Sequence, residues 1–342
     1  MSAHPAFELV REQQIAEVSS LARLYRHKKT GAEVLSLVND DENKVFGVTF
    51  RTPPEDSTGV AHILEHSVLC GSRSFPVKKP FVELLKGSLH TFLNAMTFAD
   101  KTAYPVASQN LQDFHNLVDV YLDAVLFPLL TEDTFRQEGW HYERESTQAP
   151  MVYKGVVFNE MKGAYSSASS VLAKMSQLSL YPDTAYGVNS GGDPKAIPDL
   201  TYAYFKNFHE KYYHPSNARI VFYGDDPEDE RFAILDRYLG QFDRIEVAAD
   251  VALQKRFSEP KRIVETYAAN EAEAGKKTSM VSINWMLDKV EDPNLALNLS
   301  VLEFILVGTA ASPLRKALID SGLGEGLTGS GVAEDMLQPY FT

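Results

Sequence analysis

His62, Glu65 and His66 are the residues of this sequence whose types and spacing could do chemistry together. Two neutral imidazoles at i and i+4 of a helix leave the same face one turn apart and can share a zinc ion. Glu65 follows His62 by three positions on that face, within reach of a water held by such an ion, where a carboxylate serves as general base. The order His-x-x-Glu-His inverts the commoner His-Glu-x-x-His zinc motif and predicts metal-assisted hydrolysis of a peptide bond. Zinc needs a third protein N or O ligand and keeps the fourth position for water. On chemistry alone Glu83, Glu132, Glu138, Glu143, Glu145 and Glu160 are equal candidates for that ligand.

A helix must carry these groups. Ser57 or Thr58 is expected to N-cap it and Gly71 to end it. Val60, Ile63, Leu64 and Val68 form its apolar stripe, which leaves His62, Glu65 and His66 facing a cleft. Residues 32–38 and 45–50 read as strands before it, around the turn-like Asn39-Asp-Asp-Glu-Asn. After it come a short helix from Phe81 to Lys86, a strand over 88–98 and its neighbour over 101–106. Residues 110–127 have strong helical periodicity ended by Pro128. Further helices are expected near 131–143, 157–178, 200–213 and 227–241, with a buried-type strand at 218–224. A linker at 246–260 then separates a first domain, 1–245, from a second series at 261–342. That series has strands over 262–267 and 278–285 and helices near 293–306 and 312–321. On its residues alone the strand over 88–98 reads as an ordinary sheet strand, with peptide capture by strand addition at an exposed edge as the alternative.

The bulk numbers narrow the class. A chain of 342 residues with 44% hydrophobic and 23% charged residues has ample length for a core. Its net charge of −13, with no basic block, argues against a nucleic-acid partner. The single cysteine, Cys70, excludes an internal disulfide and a four-cysteine zinc site. No apolar stretch approaches the ~20 residues of a membrane span, and the N-terminus has no secretory pattern. His90, His115, His141, His209 and His214 stand in aromatic or helical surroundings that suit structural roles. Gly191-Gly192-Asp193-Pro194 lacks the Lys-Ser/Thr of a phosphate loop and reads as a turn.

Several segments resemble the pitrilysin/insulinase family of metallopeptidases, in its presequence protease branch. They are residues 51–72 around the motif, Phe81 to Ala95, Gly155-Val-Val-Phe-Asn-Glu-Met-Lys-Gly, Tyr186-Gly-Val-Asn-Ser-Gly-Gly-Asp-Pro and Tyr212-Tyr-His-Pro-Ser-Asn-Ala-Arg. The resemblance implies an α+β fold, with an antiparallel-rich sheet packed against helices and a partial second domain of similar fold. It implies a zinc metalloendopeptidase acting on short unfolded peptides such as cleaved organellar targeting presequences. Glu160 becomes the third ligand to one zinc ion beside His62 and His66, with Glu65 as the base. Asn94 and Ala95 become substrate-binding residues, with Thr97 beside them. Unfolded peptides and a missing C-terminal half of the same enzyme are the implied partners, with neither nucleic acid nor membrane among them. The chain is expected to be an N-terminal fragment. Removal of a transit peptide would place it in the mitochondrial matrix or chloroplast stroma; otherwise a bacterial cytoplasm is expected. The alternative is a non-catalytic peptide-binding or scaffold member of the same fold.

Overall fold

The computed structural model describes residues 4–78, 80–269, 275 and 278–342, which fall into two compact units. The first unit comprises residues up to Asn159 and Ser190–Asp250; the second comprises Glu160–Asn189 and Val251–Thr342.

The first unit is built on one twisted sheet. Its strands are β1 (Phe7–Ile15), β2 (Ser20–His27), β3 (Glu33–Val38), β4 (Lys44–Arg51), β5 (His90–Leu93), β6 (Met96–Thr97), β7 (Lys101–Ser108) and, far along the chain, β10 (Ala218–Gly224). They lie in the order β1-β2-β3-β10-β4-β7-β5, with β6 also on β7. Every neighbouring pair is antiparallel except β3 with β10. In β4 the buried Phe46, Val48 and Phe50 alternate with less buried residues, the period-two pattern of a strand with one face on a core. Helices α3 (Leu111–Leu126), α7 (Tyr202–Tyr212) and α8 (Glu228–Leu239) supply Phe114, Leu117, Phe205, Phe208, Phe232 and Leu235 to the buried apolar interior. His209 is buried among them, donating from Nε2 to Val125 O over 2.9 Å, and burial pushes its pKa down to about 4. It is a neutral structural histidine.

Between the strands and these helices run α1 (Val60–Val68), α2 (Pro80–Gly87) and α4 (Glu132–Glu138). A hairpin of β8 (His141–Glu143) and β9 (Val152–Lys154) then leads into α5 (Val156–Ala164). The expected helix over 157–178 is two helices, because the chain turns at Ser166 and Ser167 begins α6 (Ala168–Leu180) by accepting from Ser170 N. The expected helix over 131–143 stops at Glu138 before Gly139. Strands β1 and β2 were not expected from the sequence: β1 is exposed along most of its length and carries little alternation.

The second unit holds α6, α9 (Pro293–Glu303), α10 (Pro313–Asp320) and a small sheet of β11 (Trp285–Met286), β13 (Tyr340–Phe341) and β12 (Val332–Ala333), in the order β11-β13-β12. Tyr181 donates to Gln338 O and Asp183 N to Gln254 Oε1, tying its two sequence segments. Of the strands expected over 262–267 and 278–285, only Trp285–Met286 pairs; among the described residues the rest find no ladder partner, and Val264, Val281 and Ile283 stay exposed. Pro293–Asp320 is long and apolar enough by length and composition to cross a membrane, with a mean hydropathy of 1.7 over its most apolar 18 residues, which corrects the expectation of no such apolar stretch. Eleven α-helical residues and a five-residue π turn are followed by a break at Thr309–Ser312, so the run is not one continuous helix.

Candidate functional site

The motif helix starts one residue later than its capping signals suggest. Thr58 is held by Asp56, whose Oδ1 accepts from both its backbone N and its hydroxyl, and Gly59 takes the N-cap position at φ 72. Leu69 closes the helix, two residues before Gly71. Val60, Ala61, Ile63, Leu64 and Val68 are fully buried, as the apolar stripe requires. The opposite side carries His62 and His66, half-buried, with ring centroids 5.0 Å apart.

The third group comes from α5. The boundary between the two units falls inside this helix, between Asn159 and Glu160, so its first turn is rooted in the first unit and the helix carries Glu160 one residue further. One ligand atom from each of His62, His66 and Glu160 lies within 4.8 Å of the others. A tetrahedral ion with bonds near 2.1 Å sets its ligand atoms about 3.4 Å apart, so a small contraction of this set would accommodate one. Two imidazole nitrogens and a carboxylate oxygen are a zinc donor set in type as well as in number.

Both rings are held from behind. His62 Nδ1 is 3.0 Å from Gly191 O, and His66 Nδ1 is 3.4 Å from Glu138 Oε2. These contacts leave Nε2 of each ring for the shared centre, the arrangement that orients metal-binding histidines elsewhere. Glu138 is 4% exposed; it also accepts from Gln137 Nε2 at 2.7 Å and from Cys70 Sγ at 3.6 Å. Cys70 is therefore a half-buried thiol leaning on the rear of the site.

Glu65 is 8% exposed and, among the described residues, hydrogen-bonds to no protein group. Its charge, after burial, adds to the upward push on the phenols of Tyr104 and Tyr213, whose hydroxyls meet at 2.8 Å. A buried carboxylate with no protein donor is available to a water and its proton.

Asn94 and Ala95 lie between β5 and β6, on the strand segment at the end of the sheet. Asn94 N donates to Pro105 O of β7, while the Asn94 side chain accepts from Ala95 N at 2.9 Å. Among the described residues no strand pairs with the outer side of this segment, and β6 packs beside α1. Thr97 pairs with Thr102 and has a buried hydroxyl without a partner among the described residues. Of the other acidic candidates, Glu83 pairs with Lys86, Glu132 with Arg136, and Glu143 with His141 and Lys154. Sequence reasoning missed Glu138 and Gly191 as supports, Glu138 having stood only among the possible ligands.

A family model described as insulinase (peptidase family M16) matches residues 50–171, the stretch that holds all four of these groups. A second, described as the peptidase M16 inactive domain, matches residues 199–342. Presequence protease 1, chloroplastic/mitochondrial, of Arabidopsis thaliana is 57% identical over 98% of this chain and 32% of its own length. The chain belongs to the insulinase family of metallopeptidases. Protein HypA of Clostridium perfringens is 49% identical over 95% of this chain and 34% of its own length. The mitochondrial presequence protease of Mus musculus is 45% identical over 87% and 29%. The chain thus spans about a third of the length of these relatives. Among solved structures, pitrilysin superposes with a TM-score of 0.67 at 18% identity, covering 99% of this chain and 35% of that one. A protease from Helicobacter pylori gives 0.65 at 18% identity, covering 92% and 72%. These two show a pitrilysin-like fold, α+β with an antiparallel-rich sheet, as the resemblance implies.

Proposed function

We propose that this chain carries the zinc centre of a metalloendopeptidase that degrades short unfolded peptides, cleaved targeting presequences among them. The observation that carries the proposal is the convergence of His62, His66 and Glu160 within 4.8 Å, with buried Glu65 on the same helix. Zinc, when bound, would lower the pKa of a water to about 7 and polarise a peptide carbonyl. His62 and His66 would hold it through Nε2, and Glu160 through a carboxylate oxygen. Glu65 would take the proton of the attacking water on a carboxylate oxygen and return it to the leaving amine.

The substrate would lie as an added strand along the edge at Asn94, Ala95 and Thr97. Backbone pairing there is indifferent to side-chain identity, which suits varied peptides. The preference for presequences is carried over from the names of the relatives, and a location in mitochondria, chloroplasts or a bacterial cytoplasm rests on the same relatives. The division into a catalytic domain to about residue 245, a linker and the start of a second domain belongs to this reading, as does a partner half in the remaining length.

Elemental analysis of the purified chain is expected to give one zinc per molecule, and His62→Ala or His66→Ala to bring it near zero. Metal content unaffected by both substitutions would remove the site. A quenched peptide incubated with and without chelator separates the two functional readings. Chelator-sensitive cleavage supports the peptidase, whereas binding without cleavage by a chain of full family length supports a peptide-binding member.

Glu138 should matter through His66. Glu138→Gln is expected to weaken zinc binding by about 10–100-fold, the usual cost of losing a partner behind a metal-binding histidine. Competition with a chromophoric chelator measures it, and an affinity equal to the parent's would exclude Glu138 from the site.

A further inference from the structure

Gly59 and Gly192 meet backbone to backbone at the start of the motif helix. A Cβ on Gly59 would lie 2.8 Å from Gly192 Cα and 3.0 Å from Gly191 O. A Cβ on Gly192, itself at φ 101, would lie 2.9 Å from Cγ1 and Cδ1 of Ile197 and 3.1 Å from Gly59 Cα. Glycine is needed at both positions by the closeness of the approach and by the sign of φ. The turn is fixed at both ends. Asp193 N donates to Ser57 O at 2.8 Å, just ahead of the helix. Behind it, Ala196 N and Ile197 N both donate to Asp193 O, Lys195 N donates to Asp193 Oδ1, and Ile197 is fully buried.

From this fixed turn the Gly191 carbonyl faces His62 Nδ1 at 3.0 Å. A carbonyl oxygen only accepts, so the ring must carry its proton on Nδ1, which leaves the lone pair on Nε2. We propose that the Gly191-Gly192 turn is a positioning device for His62, which fixes the orientation and the Nδ1–H tautomer of the ring before any ion arrives. Gly191 acts through its backbone and Gly192 by permitting the approach. Neither touches a reacting atom. The gain in metal affinity rests on the zinc reading above; the tautomer does not.

The test uses the metal-free 342-residue chain labelled with 15N-histidine, at a pH well above the usual histidine range near 6.5. The His62 signals are assigned by their loss in His62→Gln. His62 is expected to show a protonated Nδ1 and an unprotonated Nε2 in the parent and in Gly87→Ala, where a Cβ meets nothing within 4 Å. In Gly192→Ala the two tautomers should mix, and zinc affinity in chelator competition should fall by about 10–100-fold. A parent His62 protonated on Nε2 overturns the proposal even if Gly192→Ala fails to fold. So does a folded Gly192→Ala that keeps both tautomer and affinity. A parent that shows the Nδ1–H tautomer but binds no zinc supports the positioning device while sinking the zinc reading, so the two fail separately.

Discussion

Glu65→Gln is expected to cut peptide turnover by about 10²–10⁴-fold, the usual contribution of a positioned general base, while zinc content stays at the parent level. The variant belongs in a chain extended to the length of the longer relatives, since this one spans about a third of them. The amide of glutamine is nearly isosteric with the carboxylate, so the well beside Tyr104 and Tyr213 remains filled. What it lacks is a basic oxygen. Because Glu65 hydrogen-bonds to no protein group among the described residues, its replacement orphans no donor, and stability should change little. The result therefore separates a base from a ligand. Loss of turnover with metal retained identifies Glu65 as the base, loss of both would make it a ligand, and undiminished turnover would remove it from the chemistry. Set beside His62→Ala, where metal itself should go, the pair of variants assigns the two roles independently.

His62, Glu65 and His66 are legible in the sequence because a single helical turn brings them together, and helical spacing is a local property. The helix itself is equally legible, since Val60, Ile63, Leu64 and Val68 repeat at the period of a buried stripe and are all fully buried. Glu160 is a different case. Nothing in its spacing distinguishes it from Glu138 or Glu143, and only the likeness of the segment around it to other family members singles it out. Glu138 shows why: it reaches the same site from α4, but from behind a histidine, and that distinction exists only in three dimensions. Gly191 is harder still, because its contribution is a carbonyl that every residue type has. The start of α1 is set by the same turn, whose approach to Gly59 overrides the local capping signal at Ser57 and Thr58. In the second unit, residues 262–267 and 278–284 have β-prone composition, yet among the described residues they have no strand to pair with. Composition creates the tendency, but a ladder needs a partner.

The sheet that presents the site depends on a buried ion pair far from it, and Asp226→Ala is expected to cost about 3–5 kcal/mol by stranding a buried charge. Arg231 and Asp226 both have side chains 0% exposed and meet through two bonds, Nε to Oδ2 at 2.8 Å and Nη2 to Oδ1 at 2.6 Å. The guanidinium also donates to Ser36 Oγ, Leu37 O and Gly224 O, at the ends of β3 and β10. Those strands form the one parallel pairing in the sheet, where no hairpin fixes the register, so the pair sits where the chain supplies least help. Without Asp226 the arginine stays charged and buried with neutral acceptors alone. Replacing both partners, as Asp226→Ala with Arg231→Met, should cost less than Asp226→Ala alone, because the uncompensated charge goes with the arginine. Native-state hydrogen exchange at the amides of β3 and β10 localises the effect, which a whole-chain melting curve over two units would blur. Protection in Asp226→Ala within about 1 kcal/mol of the parent would show that the backbone carbonyls alone satisfy Arg231.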